Sequence, residues 1–493
     1  MSAQRPAAPQ GGADTTPLCV DLDGTLIHGD LLHEAMVATL KRSPLAALGM
    51  LAAMIRGRLA LKQFLAREAP FDPALLPYRT DLIDHLKSER AAGRPIHLVT
   101  ASPKIWAEQT AAHLGIFDAV YGSEGVNLKG PAKARLLAES HPEGYDYVGD
   151  AKADIHVWQG SRHVLRAGRG TRVRLPDPLV SHRDFPVQHK KPMPLLRAMR
   201  PHQWLKNILI FLPLLASHQI GNIALAGNAL LSFIAFSLVA SATYLLNDML
   251  DIASDRSHPR KRERPFASGE LSITVGVASG IVLFAGALLI ALFVGPAFLA
   301  VLLGYTVVTT AYSVRLKTSM LIDVFTLAAL YSARVVAGAA ATGVRLSVWL
   351  LAFSMFLFLA LAIVKRCAEL VDRAKSAQQR LTGRGYFGAD LAVLQSLGSA
   401  SSFSAVLVLS LYAAQPEVSR LYANPALLWL IGPVLLYWFS RMMLLAQRGY
   451  MHDDPIIFAL KERKSLILIV ISALLAVAAA KLDFSTGLLL PSR

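Results

Sequence analysis

The sequence predicts two fold classes in one chain: an N-terminal α/β domain of Rossmann-like type, then an all-α polytopic membrane bundle. Three observations carry this. Hydrophobic residues make up 54% of the 493 residues and charged residues only 17%, where a soluble chain carries about a quarter. The apolar excess begins near residue 207, and the composition before that point is that of an ordinary mixed domain. After it, apolar runs recur that are long enough to cross a hydrocarbon core of ~30 Å.

Residues 1–17, MSAQRPAAPQGGADTTP, form a Pro-, Ala- and Gly-rich tail. It lacks the basic-then-apolar pattern of a secretory signal, so the first domain is expected in the cytoplasm. Two cysteines, Cys19 and Cys367, are too few for a disulfide framework and fit a reducing compartment.

The first domain is expected over 18–181. Short apolar strands, LCVDLDG (18–24) and IHLVTAS (96–102), alternate with helical stretches, which predicts a mostly parallel sheet. Such sheets bind ligands at the carboxyl ends of their strands, where Asp21, Asp23, Thr100, Asp150 and Asp154 fall. Lys133 follows in KGPAKARLL. Asp21 is the expected nucleophile, forming an aspartyl-phosphate, and Asp23, two residues on along the same face, would protonate the leaving oxygen. Asp150 and Asp154, with Asp21, would hold Mg²⁺, while Thr100 and Lys133 bind the transferring phosphoryl group. This set, DLDGT, the threonine of LVTAS, the lysine and GDxxxD in order, resembles the haloacid dehalogenase (HAD) superfamily of phosphatases over about 18–170. The resemblance implies a helical cap inserted after the first motif. The apolar segment 44–61, PLAALGMLAAMIRGRLAL, is too short to span a bilayer; it is expected as a cap helix, the alternative being a face that rests on lipid.

A basic, proline-containing linker, 182–206, leads to the membrane half over 207–485. About nine spans are expected: 207–218, 226–246, 273–293, 296–312, 321–341, 346–364, 398–415, 425–443 and 465–481. With the N-terminus inside, the basic loops fall on one side of the membrane, as the positive-inside rule requires. That accounts for the net charge of +16 without nucleic acid, for which no stacking or base-reading element is visible. The expected location is a bacterial-type inner membrane, with the first domain and both active sites on the cytoplasmic side. No feature of the sequence sets an oligomeric state.

The loop NDMLDIASDRSHPRKRERP (247–265) lies between two apolar runs. Asn247, Asp248, Asp251 and Asp255 follow a spacing of three and four, so a continuing helix would point the carboxylates together. Clustered carboxylates at a membrane surface call for a cation, and Mg²⁺ suits them while leaving positions for substrate phosphates. Arg260, Lys261, Arg262 and Arg264 would meet the outer phosphate oxygens. Arg334 sits inside an apparent span, where a charge is costly and marks function.

These elements resemble the UbiA superfamily of intramembrane prenyltransferases, through RPHQWLKN (200–207), NDMLDIASDR (247–256) and YSVRLKTSMLIDV (312–324). Typical aromatic prenyltransferases place a second Asp-rich motif after the sixth span; here that place reads VKRCAEL, with Lys365, Arg366 and Glu369. The branch this looks like is the decaprenyl-phosphate phosphoribosyltransferases. That resemblance implies phosphoribosyl diphosphate (PRPP) as donor and a polyprenyl phosphate as acceptor. It implies Mg²⁺ on Asp248, Asp251 and Asp255, and phosphate contacts from Lys206, Lys317, Lys365 and Arg366 with Tyr312 nearby. His452, Asp453 and Asp454 would contact ribose or metal, or cap a helix. The fusion implies that the first domain removes the 5-phosphate from the lipid product. Two rivals remain: a quinone-type aromatic prenyltransferase with an unrelated phosphatase, and a transferase with a non-catalytic HAD module.

Overall fold

The computed structural model describes residues 15–43, 45–69, 71–187, 193–374, 385–419, 421–451 and 454–482. Most of the expected tail, part of the expected linker, and His452 and Asp453 lie outside the described residues. The chain forms two compact units, Met1–Met199 with Tyr244–Gly280, and Arg200–Thr243 with Ile281–Arg493.

The first unit is built on six parallel strands: β1 (Leu18–Val20), β2 (Ile96–Pro103), β3 (Ala119–Ser123), β4 (Asp146–Gly149), β5 (Val164–Gly168) and β6 (Ser181–Pro186). Their order is β3-β2-β1-β4-β5-β6. β1 lies at the centre, with Leu18 opposite Ile96 on one side and Asp146 on the other. Chain order reverses between β1 and β4, the position where doubly wound sheets open a ligand crevice beyond the strand ends. Leu18, Val20, Leu98 and Val148 are fully buried, as expected of strands covered on both faces. β6 takes its residues from the start of the expected linker, so the sheet reaches one strand further than the sequence pattern indicates.

Among the described residues four α-helices lie between β1 and β2: α1 (Leu31–Arg42), α2 (Ala46–Ile55) and α3 (Arg58–Glu68), then Thr80–Ala91. The apolar 44–61 stretch is thus a cap helix running into a second one, broken at Gly57, whose φ is +108°. α2 buries Met50 and Ala53, while Leu45, Leu48, Leu51 and Ile55 stay exposed.

Among the described residues, eight helices are long and apolar enough to cross a membrane: Ile223–Leu250, Ile273–Val294, Pro296–Val314, Ile322–Thr342, Val348–Asp372, Gly388–Ala413, Pro425–Gln447 and Arg463–Lys481. The expected span at 207–218 is not among them. Its residues form a 3₁₀ stretch, Pro201–Phe211, and a short helix, Leu212–Ala216. Pro213 at the start of the second piece fits a helix beginning there better than one continuing through. Ile322–Thr342 is the most enclosed of the eight. It reaches that packing through Gly338, where an added Cβ would lie 1.9 Å from the Ile210 carbonyl oxygen.

Gly338→Ala is therefore expected to destabilise the membrane unit by about 1–3 kcal/mol. Gly304→Ala, with nothing within 4 Å of the new methyl, serves as the control. Thermal unfolding of the purified protein should separate the two; equal melting temperatures would contradict the close approach.

Two candidate active sites

At the end of β1 the chain turns sharply. The Asp21 amide bonds the Val148 carbonyl at 3.0 Å, and the Asp21 carboxylate accepts from the Leu22 amide at 2.9 Å. Gly24 follows with φ +73°, and a Cβ there would meet Asp150 Oδ2 at 2.1 Å. Only glycine permits both that backbone conformation and that approach. Asp23 accepts from the Leu31 amide at 2.8 Å and from the Ser102 hydroxyl at 2.6 Å.

Asp21, Asp150 and Asp154 each bring a carboxylate oxygen within 4.8 Å of the others. Lys133, on the helix Pro131–Ser140, is buried against them, 3.0 Å from Asp21 and 3.8 Å from Asp154. Its ammonium donates to the Tyr147 hydroxyl at 2.7 Å, which in turn donates to Asp154 at 3.1 Å. Asp154 is further held by the amides of Asp150 and Ala151. Burial pushes Asp150 up to about 8, with Asp21 and Asp154 adding to the effect. Burial also raises Asp21, against the pull of Lys133. Burial lowers Lys133, but Asp21 and Asp154 outweigh it and hold the ammonium charged. Three acids against one lysine leave an excess of negative charge in a set of hard oxygen donors, and that set fits Mg²⁺. Burial, and next the Asp30 charge, push Asp23 up to about 7.

The cavity above these groups measures about 1090 Å³ and is also lined by Ser102 and Lys62. Thr100 is fully buried, its hydroxyl accepting from the Ser102 amide at 3.0 Å; Ser102, not Thr100, lines the cavity. Lys62, missed in the sequence, sits inside an apolar-looking cap segment that offers no pattern to find it. A second cluster, Cys19, His97 and His141, also has ligand atoms within 4.8 Å. Its thiol packs in an apolar group with Val99 and Leu137, and burial pushes it up to about 12.

The acidic loop belongs to the same compact unit. Asp248 and Asp255 are buried and converge on one guanidinium, Arg264, at 3.2 and 2.7 Å. Asp251 pairs with Lys41 of α1 at 2.7 Å. Among the described residues, the three carboxylates do not gather as the Asp21 set does. The long helix ends at Leu250 and the next begins at Ile252, with Asp251 at the turn between them. Arg256 donates two hydrogen bonds to Glu34 of α1, at 2.7 and 2.8 Å. Asn247 is half-buried and Arg262 exposed.

In the membrane unit, Asp454 is the hub. It is buried, caps the helix Pro455–Lys461, and binds Lys206 at 2.8 Å, Lys365 at 3.3 Å and the Tyr331 hydroxyl at 2.8 Å. Burial opposes its ionisation, but Lys206 and Lys365 hold its carboxyl well below the usual range. The RPHQWLKN motif is tied to the bundle residue by residue. Trp204 donates to Ser241 at 2.9 Å, Asn207 donates to Ser237 at 3.0 Å, and Arg334 donates to Asn207 at 2.8 Å. Arg334 also bonds the Tyr305 hydroxyl and the Leu330 carbonyl. These bonds tie its helix to the RPHQWLKN motif and to the helix Pro296–Val314. Lys317 and Tyr312 are half-buried.

Arg366 differs most from expectation. It is fully buried, paired with Asp323 at 2.9 Å and with Glu369, and Tyr386 donates to Asp323. This is an internal ion network. Arg366→Met should cost about 3–5 kcal/mol of stability by stranding Asp323, and Asp323→Asn added to it should recover part of that loss in denaturation of the purified protein. Unchanged stability with lost transfer activity would restore Arg366 as a substrate contact.

Residues 208–464 match the UbiA prenyltransferase family, and residues 18–159 match the haloacid dehalogenase-like hydrolases. The uncharacterized protein y4nM of Sinorhizobium fredii is 38% identical over 454 residues, covering 91% of this chain and 88% of its own. Nodulation protein NoeC of Azorhizobium caulinodans is 35% identical over 280 residues, 56% of this chain and 90% of its own. The decaprenyl-phosphate phosphoribosyltransferase of Mycobacterium tuberculosis is 35% identical over 184 residues, 36% of this chain and 60% of its own. Both families are typically Mg²⁺-dependent. The chain is an integral membrane protein that belongs to the UbiA prenyltransferase family and carries a HAD-like phosphatase domain ahead of its membrane domain.

Proposed function

We propose that the membrane domain transfers 5-phosphoribosyl from PRPP to a polyprenyl phosphate, and that the HAD domain then removes the 5-phosphate to leave polyprenyl-phosphoryl-ribose. The observation that carries this reading is the pair Lys206 and Lys365 on Asp454. Where an aromatic prenyltransferase would place a second acidic motif this chain has Lys365, and Lys206 of RPHQWLKN joins it on Asp454; two ammonium groups suit a donor with more phosphate than a prenyl diphosphate carries. The relatives named as phosphoribosyltransferases support the same reading.

In the first reaction an oxygen of the lipid phosphate attacks the ribose C1, and the bond from C1 to the diphosphate oxygen breaks. Asp248 and Asp255 are the residues that would hold Mg²⁺, with Arg264 giving way to it; Asp251 joins them if Lys41 releases it. The ion supplies neutralisation of the departing diphosphate. Lys206 and Lys365 bind and orient phosphate oxygens.

In the second reaction Asp21 attacks the 5-phosphate phosphorus and the bond to the ribose oxygen breaks. Asp23 gives that oxygen its proton. Water then attacks the aspartyl-phosphate, its proton passes to Asp23, and inorganic phosphate leaves with Asp21 restored. Mg²⁺ held by Asp21, Asp150 and Asp154 supplies the positive charge that lets an anion approach an anion. Lys133 holds the phosphoryl oxygens, and Ser102 orients Asp23.

The test is mass analysis of the lipid formed from PRPP and a polyprenyl phosphate in Mg²⁺, by wild type and Asp21→Asn. Wild type should yield lipid-linked ribose and the variant lipid-linked phosphoribose. No transfer in either protein rejects PRPP as donor; the same lipid from both rejects the HAD step.

A further inference from the structure

The phosphatase cavity is far larger than a phosphate needs and carries cations that the two-step chemistry does not use. α3 puts Arg58 and Lys62 four residues apart, on one face of the helix, and both line the cavity. Lys62 is buried and is fixed in place by the Ala101 carbonyl and by Asn127 Oδ1 at 2.7 Å. Those two bonds use two of its three ammonium protons. Lys129, two residues beyond Asn127, lines the same side. Among the described residues neither Arg58 nor Lys129 has an ion-pair partner, while Asp30 pairs with His33 and Glu34 with Arg256. Burial lowers Lys62, and Lys129 adds to that, against the opposing pull of Asp23, Asp30 and Asp21.

Apolar side chains line part of the same cavity, among polar ones that include Glu270, Ser272 and Thr274. Leu32, Met36 and Leu61 come from the cap, and Leu271, Ile273 and Val275 from the segment that follows the acidic loop. That segment is drawn close by Gly269, where a Cβ would lie 2.5 Å from the His28 Cβ, and by an ion pair from Glu270 to Arg197.

We infer that Arg58, Lys62 and Lys129 form a second anion subsite in the phosphatase cavity, which selects phosphomonoesters carrying a phosphodiester that leads to an apolar chain. This rests on the proposed lipid product, which has a monoester at one end of its sugar and a phosphodiester at the other. Asp21 takes the first and the cap lysine and its neighbours take the second. The wall at 271–275 receives the start of the chain. The phosphatase would therefore ignore free sugar phosphates and PRPP itself, which lack the apolar arm.

The experiment uses full-length protein in lipid nanodiscs with Mg²⁺ and three substrates: decyl-phosphoryl-ribose 5-phosphate, decyl riboside 5-phosphate, and p-nitrophenyl phosphate. The first should exceed the second in kcat/KM by about tenfold or more, the value of a charge-assisted contact. Arg58→Gln/Lys129→Gln, both at exposed positions, should collapse that ratio chiefly through KM, and Lys62→Gln should do the same. A wild-type ratio near one, or a ratio untouched by the variants, overturns the subsite while leaving the lipid phosphatase reading intact. Turnover of p-nitrophenyl phosphate alone, with neither amphiphile hydrolysed, overturns both.

Discussion

A buried carboxylate is tolerable only with a cation against it, and this constraint organises both halves of the chain. Lys133 answers Asp21 and Asp154, Arg264 answers Asp248 and Asp255, Lys206 and Lys365 answer Asp454, and Arg366 answers Asp323. The four pairings are not equivalent. Arg366 is enclosed with its partners and serves the fold. The other three leave cations or carboxylates beside groups that phosphate chemistry needs, so substrate or Mg²⁺ can replace a protein partner at little net cost in charge. Lys133 differs again, since three acids surround it and the balance there stays negative until a divalent ion enters.

The segment Tyr244–Gly280 gives the two chemistries a shared part. It carries the acidic motif at one end and walls the phosphatase cavity at the other, all within the compact unit that holds the HAD domain. α1 grips its middle through Glu34 on Arg256 and Lys41 on Asp251. A bidentate guanidinium–carboxylate pair fixes orientation as well as distance. The cap of the first domain and the acidic motif are therefore set by the same few side chains.

Much of this was legible from residue order. Acids after short apolar strands located Asp21, Asp23, Asp150 and Asp154 because period and position suffice when a parallel sheet gathers its strand ends. The spans were legible because hydropathy over about twenty residues is a strong signal. The ninth expected span is instead a 3₁₀ stretch and a short helix, Pro201–Phe211 and Leu212–Ala216, a break that hydropathy alone does not register. The pairing of Asp251 with Lys41 and the bonds from Arg334 to Asn207 and Tyr305 join residues far apart in sequence, which helical spacing and depth in a span do not specify. Asp454 and Lys62 depend on partners 248 and 39 residues distant in sequence, a relation no local pattern contains.

The central claim is that one lipid passes through both reactions. The most direct measurement supplies PRPP with tritium in the ribose and radiophosphorus in the 5-phosphate, and follows the ratio of the two labels in the lipid fraction. The account predicts that tritium stays with the lipid while radiophosphorus appears as inorganic phosphate in step with it. Both labels held in the lipid at the ratio of the donor would contradict it.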